Sequence, residues 1–121
     1  MHDNTTESRH ILLADDDPEV RTTLGRLLEL EGHSVVEACH GEQALELVQS
    51  QPFDLVITDY LMPRLAGDKL AIRIKRYAPC LPVIMITANA DLLPTKLPDV
   101  DFLLPKPFHI PELRSAIRSV T

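Results

Sequence analysis

The sequence predicts an α/β fold in which helices cover both faces of a five-stranded parallel sheet. Short apolar runs alternate with segments that have the spacing of amphipathic helices. Runs of this kind are typical of strands that are buried on both faces, as in a parallel sheet. Alternating strands and helices imply right-handed crossovers, and hence a doubly wound sandwich.

The first strand is predicted at about 10–15, and a helix begins directly after it. Asp17 is placed to cap this helix, with Pro18 at its first position, where a missing N–H costs nothing. Gly32 is suited to end the helix. The next elements are predicted, in order, as a strand at 33–38, a helix from near Gly41, a strand at 54–59, a helix at 67–77 and a strand at 82–87.

The segment 89–99 has the weakest pattern in the chain. It contains Pro94 and Pro98, and Pro94 would disrupt a regular helix through its middle. The fourth helix is therefore predicted to be short or distorted. A fifth strand is expected at about 101–104, and a last helix, apolar on one side, at about 110–120.

Size and composition predict one globular domain. The 121 residues are 45% hydrophobic and 25% charged, with a net charge of −6 and a pI of about 5.2. The acidic balance argues against direct nucleic-acid binding, which needs a basic patch. No apolar stretch approaches the roughly 20 residues that cross a bilayer, so we expect no membrane association and a cytoplasmic location.

Residues 1–9 are predicted to be a disordered leader, and residues 10–121 to be the folded domain. The leader lacks the apolar core of an export signal. Cys39 and Cys80 form no Cys-x-x-Cys motif and are expected to be small buried or half-buried thiols. Three histidines without ligand spacing are expected at the surface or in turns: His33, His40 and His109.

Polar residues follow the predicted strands at the points where the strands end. In open parallel sheets the binding crevice lies just beyond the carboxyl ends of the strands, so these side chains converge on one edge. A set of carboxylates, a hydroxyl and an amine can hold a divalent cation and handle a phosphoryl group. Its members are Asp15, Asp16, Asp59, Thr87 and Lys106.

The order and spacing of these residues closely resemble the receiver domain of two-component response regulators. The most specific segments are D-x-x-M-P-x-x-x-G, from Asp59 to Gly67, and K-P-F, which begins at Lys106. The resemblance extends over nearly the whole chain. It implies a flavodoxin-like sheet with strand order 2-1-3-4-5.

The resemblance also implies a role for each residue at this edge. Asp59 matches the phosphoacceptor, whose carboxylate attacks a phosphohistidine. Asp15 and Asp16 match an acidic pair that holds Mg²⁺, with Asp15 acting through a water. Asp59 and the backbone carbonyl of Leu61 complete the ligands of that ion.

Two further positions of the family pattern are filled. Thr87 matches the hydroxyl that hydrogen-bonds the new phosphoryl group. Lys106 matches the ammonium that pairs with Asp59 and then with the phosphate, and Pro107 after it implies a cis peptide.

The implied function is a phosphorylatable signalling switch of a two-component system or phosphorelay. A sensor histidine kinase or a histidine phosphotransfer protein would donate the phosphoryl group, and the resemblance allows a phosphorylation-dependent homodimer. Such a domain catalyses only its own phosphorylation and dephosphorylation. We therefore expect a signalling domain rather than an enzyme.

Two other functions fit part of the sequence. The D-x-D that begins at Asp15 suits a haloacid-dehalogenase-like phosphatase, but that family has Thr or Val where this chain has Glu19, and there is little room for a cap domain. A pseudo-receiver that only binds a partner is disfavoured because all five site positions are filled.

The chain departs from the family pattern around its fourth helix. Thr87 and Lys106 are 19 positions apart (106 − 87), a few fewer than usual. The family's switch aromatic, three residues before the lysine, is replaced by Leu103, and Phe102 lies one residue earlier. These departures predict a softer switch, or signalling through a different surface.

Overall fold

The computed structural model describes residues 7–94 and 97–121, and it contains one five-stranded sheet with the order β2-β1-β3-β4-β5. All its pairings are parallel, so the predicted flavodoxin-like topology is confirmed. The strands are β1 His10–Ala14, β2 Ser34–Ala38, β3 Leu55–Asp59, β4 Val83–Thr87 and β5 Phe102–Pro105. The helices are α1 Pro18–Leu30, α2 Gly41–Ser50, α3 Gly67–Tyr77 and α4 Ile110–Val120.

Two apolar layers cover the sheet, one on each face. Successive side chains of β1 enter different layers because side chains alternate along a strand. Ile11 and Leu13 pack with residues of α1 and α4, whereas Leu12 and Ala14 pack with residues of α2 and α3. The strand is therefore apolar at each of these four positions. It ends at Ala14, directly before Asp15.

Both ends of α1 are set by the predicted residues. The Asp17 carboxylate accepts hydrogen bonds from the backbone N–H groups of Glu19 and Val20, and Pro18 occupies the first turn. After the helix, Gly32 adopts a φ of +96°, a left-handed conformation that glycine reaches without strain.

Between β4 and β5, where the sequence predicts a short or distorted helix, the structure has a single 3₁₀ turn, Ala90–Leu92. The prediction is confirmed. Pro94 follows two residues later, and a proline there lacks the N–H that a longer helix would need. Residues 95 and 96 lie outside the described part of the chain.

Three expectations about individual side chains are wrong. His33 is buried, with 5% of its surface exposed, because the turn after α1 packs against the start of β1 and the Arg9 N–H donates to His33 Nδ1. Cys39 and Cys80 are exposed rather than buried, since both lie just outside the regular elements of the core. His40 does lie at a turn, where its Nδ1 caps α2.

The predicted leader falls largely on residues 1–6, which lie outside the described ranges, and it stays a prediction there. The residues that follow do contact the domain: the Ser8 hydroxyl donates a hydrogen bond to the Gly32 carbonyl. Within residues 7–94 and 97–121, no helix has both the length and the apolar character needed to cross a membrane.

The backbone amides of 89–93 should exchange with solvent faster than those of α1 and α4. The 3₁₀ turn is closed by few backbone hydrogen bonds, such as those from Leu92 N–H to the Asn89 carbonyl and from Leu93 N–H to the Ala90 carbonyl. Hydrogen–deuterium exchange followed by NMR measures this directly. Protection of the 89–93 amides equal to that of α1 would show that the turn is as stable as a long helix.

Candidate functional site

Three carboxylates meet where β1 and β3 end. The two strands are adjacent and parallel, and Ala14 pairs with Thr58, so Asp15 and Asp59 are the next residues in register. One oxygen atom from each of Asp15, Asp16 and Asp59 lies within 4.8 Å of one from the others. Asp15 is buried, Asp59 is half-buried and Asp16 is exposed. The structure thus brings the three predicted acidic residues together.

Lys106 brings a positive charge to this cluster. Its Nζ lies 3.7 Å from Oδ1 of Asp59. The backbone N–H of Lys106 donates to the Thr87 carbonyl at 2.8 Å, which continues the pairing of β4 with β5 beyond the strands. The peptide between Lys106 and Pro107 is cis, as the resemblance implies.

Thr87 ends β4 on the other side of Asp59. Asp59 pairs with Ile86, so Thr87 lies one residue beyond the partner of Asp59. The side chain is buried, and its Oγ1 accepts a hydrogen bond from the Asn89 N–H at 2.9 Å. A hydroxyl that accepts in this way can still donate its own proton to an incoming oxygen.

Leu61 lies in the loop after β3, with its side chain 58% exposed. It is two residues beyond Asp59, at the cluster's edge of the sheet. The role of its backbone carbonyl as a metal ligand stays a prediction. Between the two residues, the Tyr60 N–H donates to Asp59 Oδ1 at 2.9 Å and so helps to orient the carboxylate.

Gly67 lies directly behind Asp59. A Cβ atom on Gly67 would lie 2.1 Å from the Asp59 carbonyl oxygen, so no other residue fits without displacing that backbone. The Gly67 N–H also donates to the Tyr60 carbonyl at 2.7 Å, which closes the loop after β3. Glycine is required here by the close approach of two backbone segments.

Burial raises the pKa of Asp59 and of Asp15 above the ordinary value of 3.8. For Asp59, loss of solvent is the largest cause; the charge of Lys106 opposes it, and the charge of Asp15 adds to it. For Asp15, loss of solvent is again the largest cause, opposed first by the hydrogen bond from the Asp17 N–H. Both carboxylates therefore resist carrying their charge in the folded protein without a cation.

The donor set fits a hard divalent cation. Mg²⁺ prefers oxygen ligands and commonly uses one or two carboxylates together with water. Asp15, Asp16 and Asp59 would hold it, and a dication would favour the charged forms of Asp15 and Asp59 against the loss of solvent that is the main cause of their raised pKa values.

Sequence reasoning did not find one contact of the site. Nη1 of Arg21 donates to the backbone carbonyl of Asp15 at 2.8 Å, and Nε of Arg21 donates to Oε1 of Glu37 at 3.1 Å. The signals in the sequence were an arginine in the second turn of α1 and a glutamate inside an apolar strand. Neither signal shows that the two side chains meet.

A doubly wound sheet with this strand order, and with carboxylates at its carboxyl edge, is the arrangement of receiver domains, which accept phosphoryl groups in signalling. The chain belongs to the response regulator receiver domain family, whose family model matches residues 11–118. It is therefore a signalling domain and a phosphorylatable switch of the two-component type.

Individual relatives agree with this membership. The chain is 41% identical over 113 residues to the transcriptional regulatory protein CpxR of Escherichia coli (strain K12), covering 91% of this chain and 48% of that protein. It thus spans about half the length of curated relatives of this kind. The response regulator receiver protein CpdR of Brucella abortus (strain 2308) is 36% identical, with 93% of this chain and 96% of that protein covered.

A solved structure has the same fold. The response regulator protein TrrA of Thermotoga maritima, in complex with Mg²⁺-BeF, superposes with a TM-score of 0.87 at 30% identity. The match covers 93% of this chain and 99% of that one.

Replacing Gly67 with alanine should disturb the site as well as the fold. The new methyl group must push the Asp59 backbone away, and overpacking of this kind costs roughly 1–3 kcal/mol in free energy of unfolding. Urea denaturation measures that cost, and NMR shifts of the Asp59 and Tyr60 amides report the displacement.

The matched control is Gly32→Ala, which is strained by its φ of +96° but has no atom within 4 Å of the added Cβ. It should lose about 1–2 kcal/mol while leaving the Asp59 amide shift unchanged. Equal shifts at Asp59 in both variants would contradict the direct steric role of Gly67.

The contribution of Asp15 and Asp59 to the stability of the metal-free protein should fall as the pH rises above 3.8. A carboxyl whose pKa is raised by folding binds its proton more tightly in the native state, so stability is lost between the unfolded and the folded pKa. Asp59→Asn should therefore be more stable than the parent protein at pH 7 with EDTA, and the difference should vanish below pH 3.8.

Urea denaturation across this pH range tests the sign. Glu46→Gln, which removes an exposed carboxylate on α2, serves as the control and should change the profile little. Added Mg²⁺ should recover stability in the parent protein but not in Asp59→Asn. A parent protein that is more stable than Asp59→Asn without metal at pH 7 would refute the assignment of raised pKa values.

Proposed function

We propose that Asp59 accepts the phosphoryl group of this switch. The observation that carries the proposal is the meeting of Asp59 with two further carboxylates and Lys106 at the carboxyl edge of the sheet. In the reaction, an oxygen of Asp59 forms a bond to phosphorus while the bond from phosphorus to the donor nitrogen breaks. The donor histidine keeps that electron pair.

Asp15, Asp16, Asp59 and the Leu61 carbonyl are the proposed ligands of Mg²⁺, with Asp15 acting through a water. When bound, the cation supplies positive charge that offsets repulsion between the carboxylates and the phosphoryl oxygens. The donor chemistry of the cluster supports the proposal, as does the Mg²⁺-BeF complex of the related TrrA.

Thr87 and Lys106 are the proposed partners of the transferred group. The Thr87 hydroxyl donates a hydrogen bond to one phosphoryl oxygen while still accepting from Asn89. The Lys106 ammonium, now 3.7 Å from Asp59 Oδ1, exchanges the carboxylate for a phosphoryl oxygen. Both groups lie at the ends of neighbouring strands, β4 and β5.

Receiver domains accept phosphoryl groups from histidine kinases, and a groove beside the site supports the same donor class here. This groove of about 510 Å³ lies between α1 and the loop after β5, and Asp15 and Lys106 both line it. Its apolar lining fits one face of a helix that carries the donor histidine. The lining includes Val20, Leu24, Leu27, Ile86, Pro107 and Phe108.

We further propose that the domain works in the cytoplasm and is not a metabolic enzyme. Phosphohistidine donors are charged from ATP, which is a cytoplasmic substrate. The catalysis is limited to the phosphorylation and dephosphorylation of Asp59. A phosphorylation-dependent homodimer is compatible with this role, and sedimentation before and after treatment with acetyl phosphate measures it.

Acetyl phosphate with Mg²⁺ should add one phosphoryl group to the protein, and Asp59→Asn should abolish the addition. Intact-mass spectrometry measures the product. The control is Asp17→Asn, which removes a neighbouring charge but keeps a residue equally suited to cap α1. That variant should still be labelled. Normal phosphorylation of Asp59→Asn would contradict the assignment of Asp59 as the phosphoacceptor.

The phosphorylated form should lose its phosphoryl group slowly. Hydrolysis needs a water in line with phosphorus, and polar side chains beside the path can orient it. Here the residues two positions after Asp59 and Thr87 are Leu61, which is apolar, and Asn89, which carries no charge. Leu61→Asn should therefore accelerate dephosphorylation several-fold.

The decay of the phosphorylated mass after removal of acetyl phosphate gives the rate. Leu61→Met, which stays apolar and of similar size, is the control and should keep the slow rate. A rate in Leu61→Asn no higher than in Leu61→Met would mean that polarity at this position does not limit the reaction.

A further inference from the structure

A bridge of two side chains connects the acidic cluster to β2, the strand beside β1. Arg21 lies in the second turn of α1, and Glu37 lies on β2, the edge strand paired with β1. Nε of Arg21 donates to Oε1 of Glu37 at 3.1 Å, and Nη1 of the same guanidinium donates to the Asp15 carbonyl at 2.8 Å. One rigid group thus holds two partners at once.

The Asp15 carbonyl needs this donor because the sheet has ended beside it. The Asp15 N–H still pairs with the Ala38 carbonyl, but β2 stops at Ala38. In the parallel register of β1 and β2, the N–H that would pair with the Asp15 carbonyl is that of His40, which lies beyond the end of β2 and caps α2. A buried carbonyl without a partner would be costly, and Arg21 satisfies it.

Glycine in α1 makes room for the carboxylate that fixes the arginine. Gly25 is buried in the middle of the helix, where glycine is a poor helix former. A Cβ atom there would lie 3.2 Å from Oε2 of Glu37. The Glu37 carboxylate therefore occupies the space beside Gly25. The Arg21 side chain that it holds has only 17% of its surface exposed.

We propose that Arg21 is a positioning residue for cation binding, and that Glu37 fixes Arg21 for this purpose. By holding the Asp15 carbonyl, Arg21 sets the direction of the peptide that joins Asp15 to Asp16. The Asp16 carboxylate is exposed and depends on that peptide to point at Asp15 and Asp59. The proposal rests on the proposed function, since it deepens the Mg²⁺ site.

Loss of the Arg21 charge and loss of its positioning contact would change the Mg²⁺ affinity in opposite directions, which makes the proposal testable. A guanidinium near the cluster repels a dication, so loss of its charge alone would strengthen Mg²⁺ binding. Loss of positioning would weaken it. Partners that orient metal ligands typically change metal affinity by about 10–100-fold when they are replaced. We expect Arg21→Gln to weaken Mg²⁺ binding about tenfold, at the lower end of that range.

The experiment is an NMR titration of the full chain with Mg²⁺, combined with urea denaturation. Arg21→Lys should weaken binding as Arg21→Gln does, because a single ammonium does not replace a fork that reaches both partners. Glu37→Gln should weaken binding in the parent protein and have no further effect in Arg21→Gln. Additive effects of the two substitutions would overturn the claim that the residues act as a unit.

The control pair is Arg64 and Glu42, which form an exposed ion pair with the same 3.1 Å separation between the loop after β3 and α2, and which have no hydrogen bond to Asp15, Asp16 or Asp59 in the described part of the chain. Arg64→Gln should leave Mg²⁺ affinity unchanged. Equal weakening by Arg64→Gln, or unchanged or tighter binding in Arg21→Gln, overturns the proposal.

The outcomes also separate this proposal from the proposed function. Normal Mg²⁺ binding in the parent protein together with normal binding in Arg21→Gln would overturn the positioning role alone. A parent protein that binds no Mg²⁺ would overturn both the metal site and the role of Arg21. Asp16→Asn is the positive control for loss of a ligand, and it should lose affinity without unfolding.

Discussion

Repulsion among carboxylates at one edge of a parallel sheet is the constraint on which the rest of this structure depends. Parallel pairing makes neighbouring strands end together, so Asp15 and Asp59 meet once β1 and β3 leave the core. The protein offsets part of the repulsion with Lys106 at 3.7 Å from Asp59 and with the N–H groups of Asp17 and Tyr60. The remaining negative charge suits the edge to a dication, and through the dication to a phosphoryl group.

The two strand ends are fixed from behind by opposite means. Behind Asp59 a side chain is missing, and the backbone of Gly67 approaches so closely that a methyl group would collide with the Asp59 carbonyl. Behind Asp15 a long side chain is present, and Arg21 reaches from α1 to the carbonyl while Glu37 holds it. These contacts fix the backbone of Asp15 and Asp59. Carboxylates that repel one another need such fixed positions, because they would otherwise move apart before the cation binds.

Short-range sequence patterns predicted most of the fold. They were most accurate where proline and glycine mark the ends of helices and strands. The bounds of α3 and of the last helix were predicted correctly, and so was the loss of a regular helix around Pro94. The acidic cluster and the lysine were found because strand ends are visible as the ends of apolar runs. The contact between Arg21 and Glu37 and the burial of His33 were not found. They depend on how α1 and its following turn pack against the sheet, which short-range patterns do not contain.

A hydrogen bond connects the site to the shortened segment after β4. Thr87 Oγ1 accepts from the Asn89 N–H, and the 3₁₀ turn begins at the next residue. A rotation of Thr87 towards a phosphoryl group on Asp59, with the bond from Asn89 kept, would therefore move Asn89. The start of β5 is held firmly, since Asp101 accepts from both Lys75 Nζ and the Val83 N–H. The displacement would thus be passed to a turn with few hydrogen bonds of its own, and a small movement of one hydroxyl would reorganise residues that a long helix would have kept rigid.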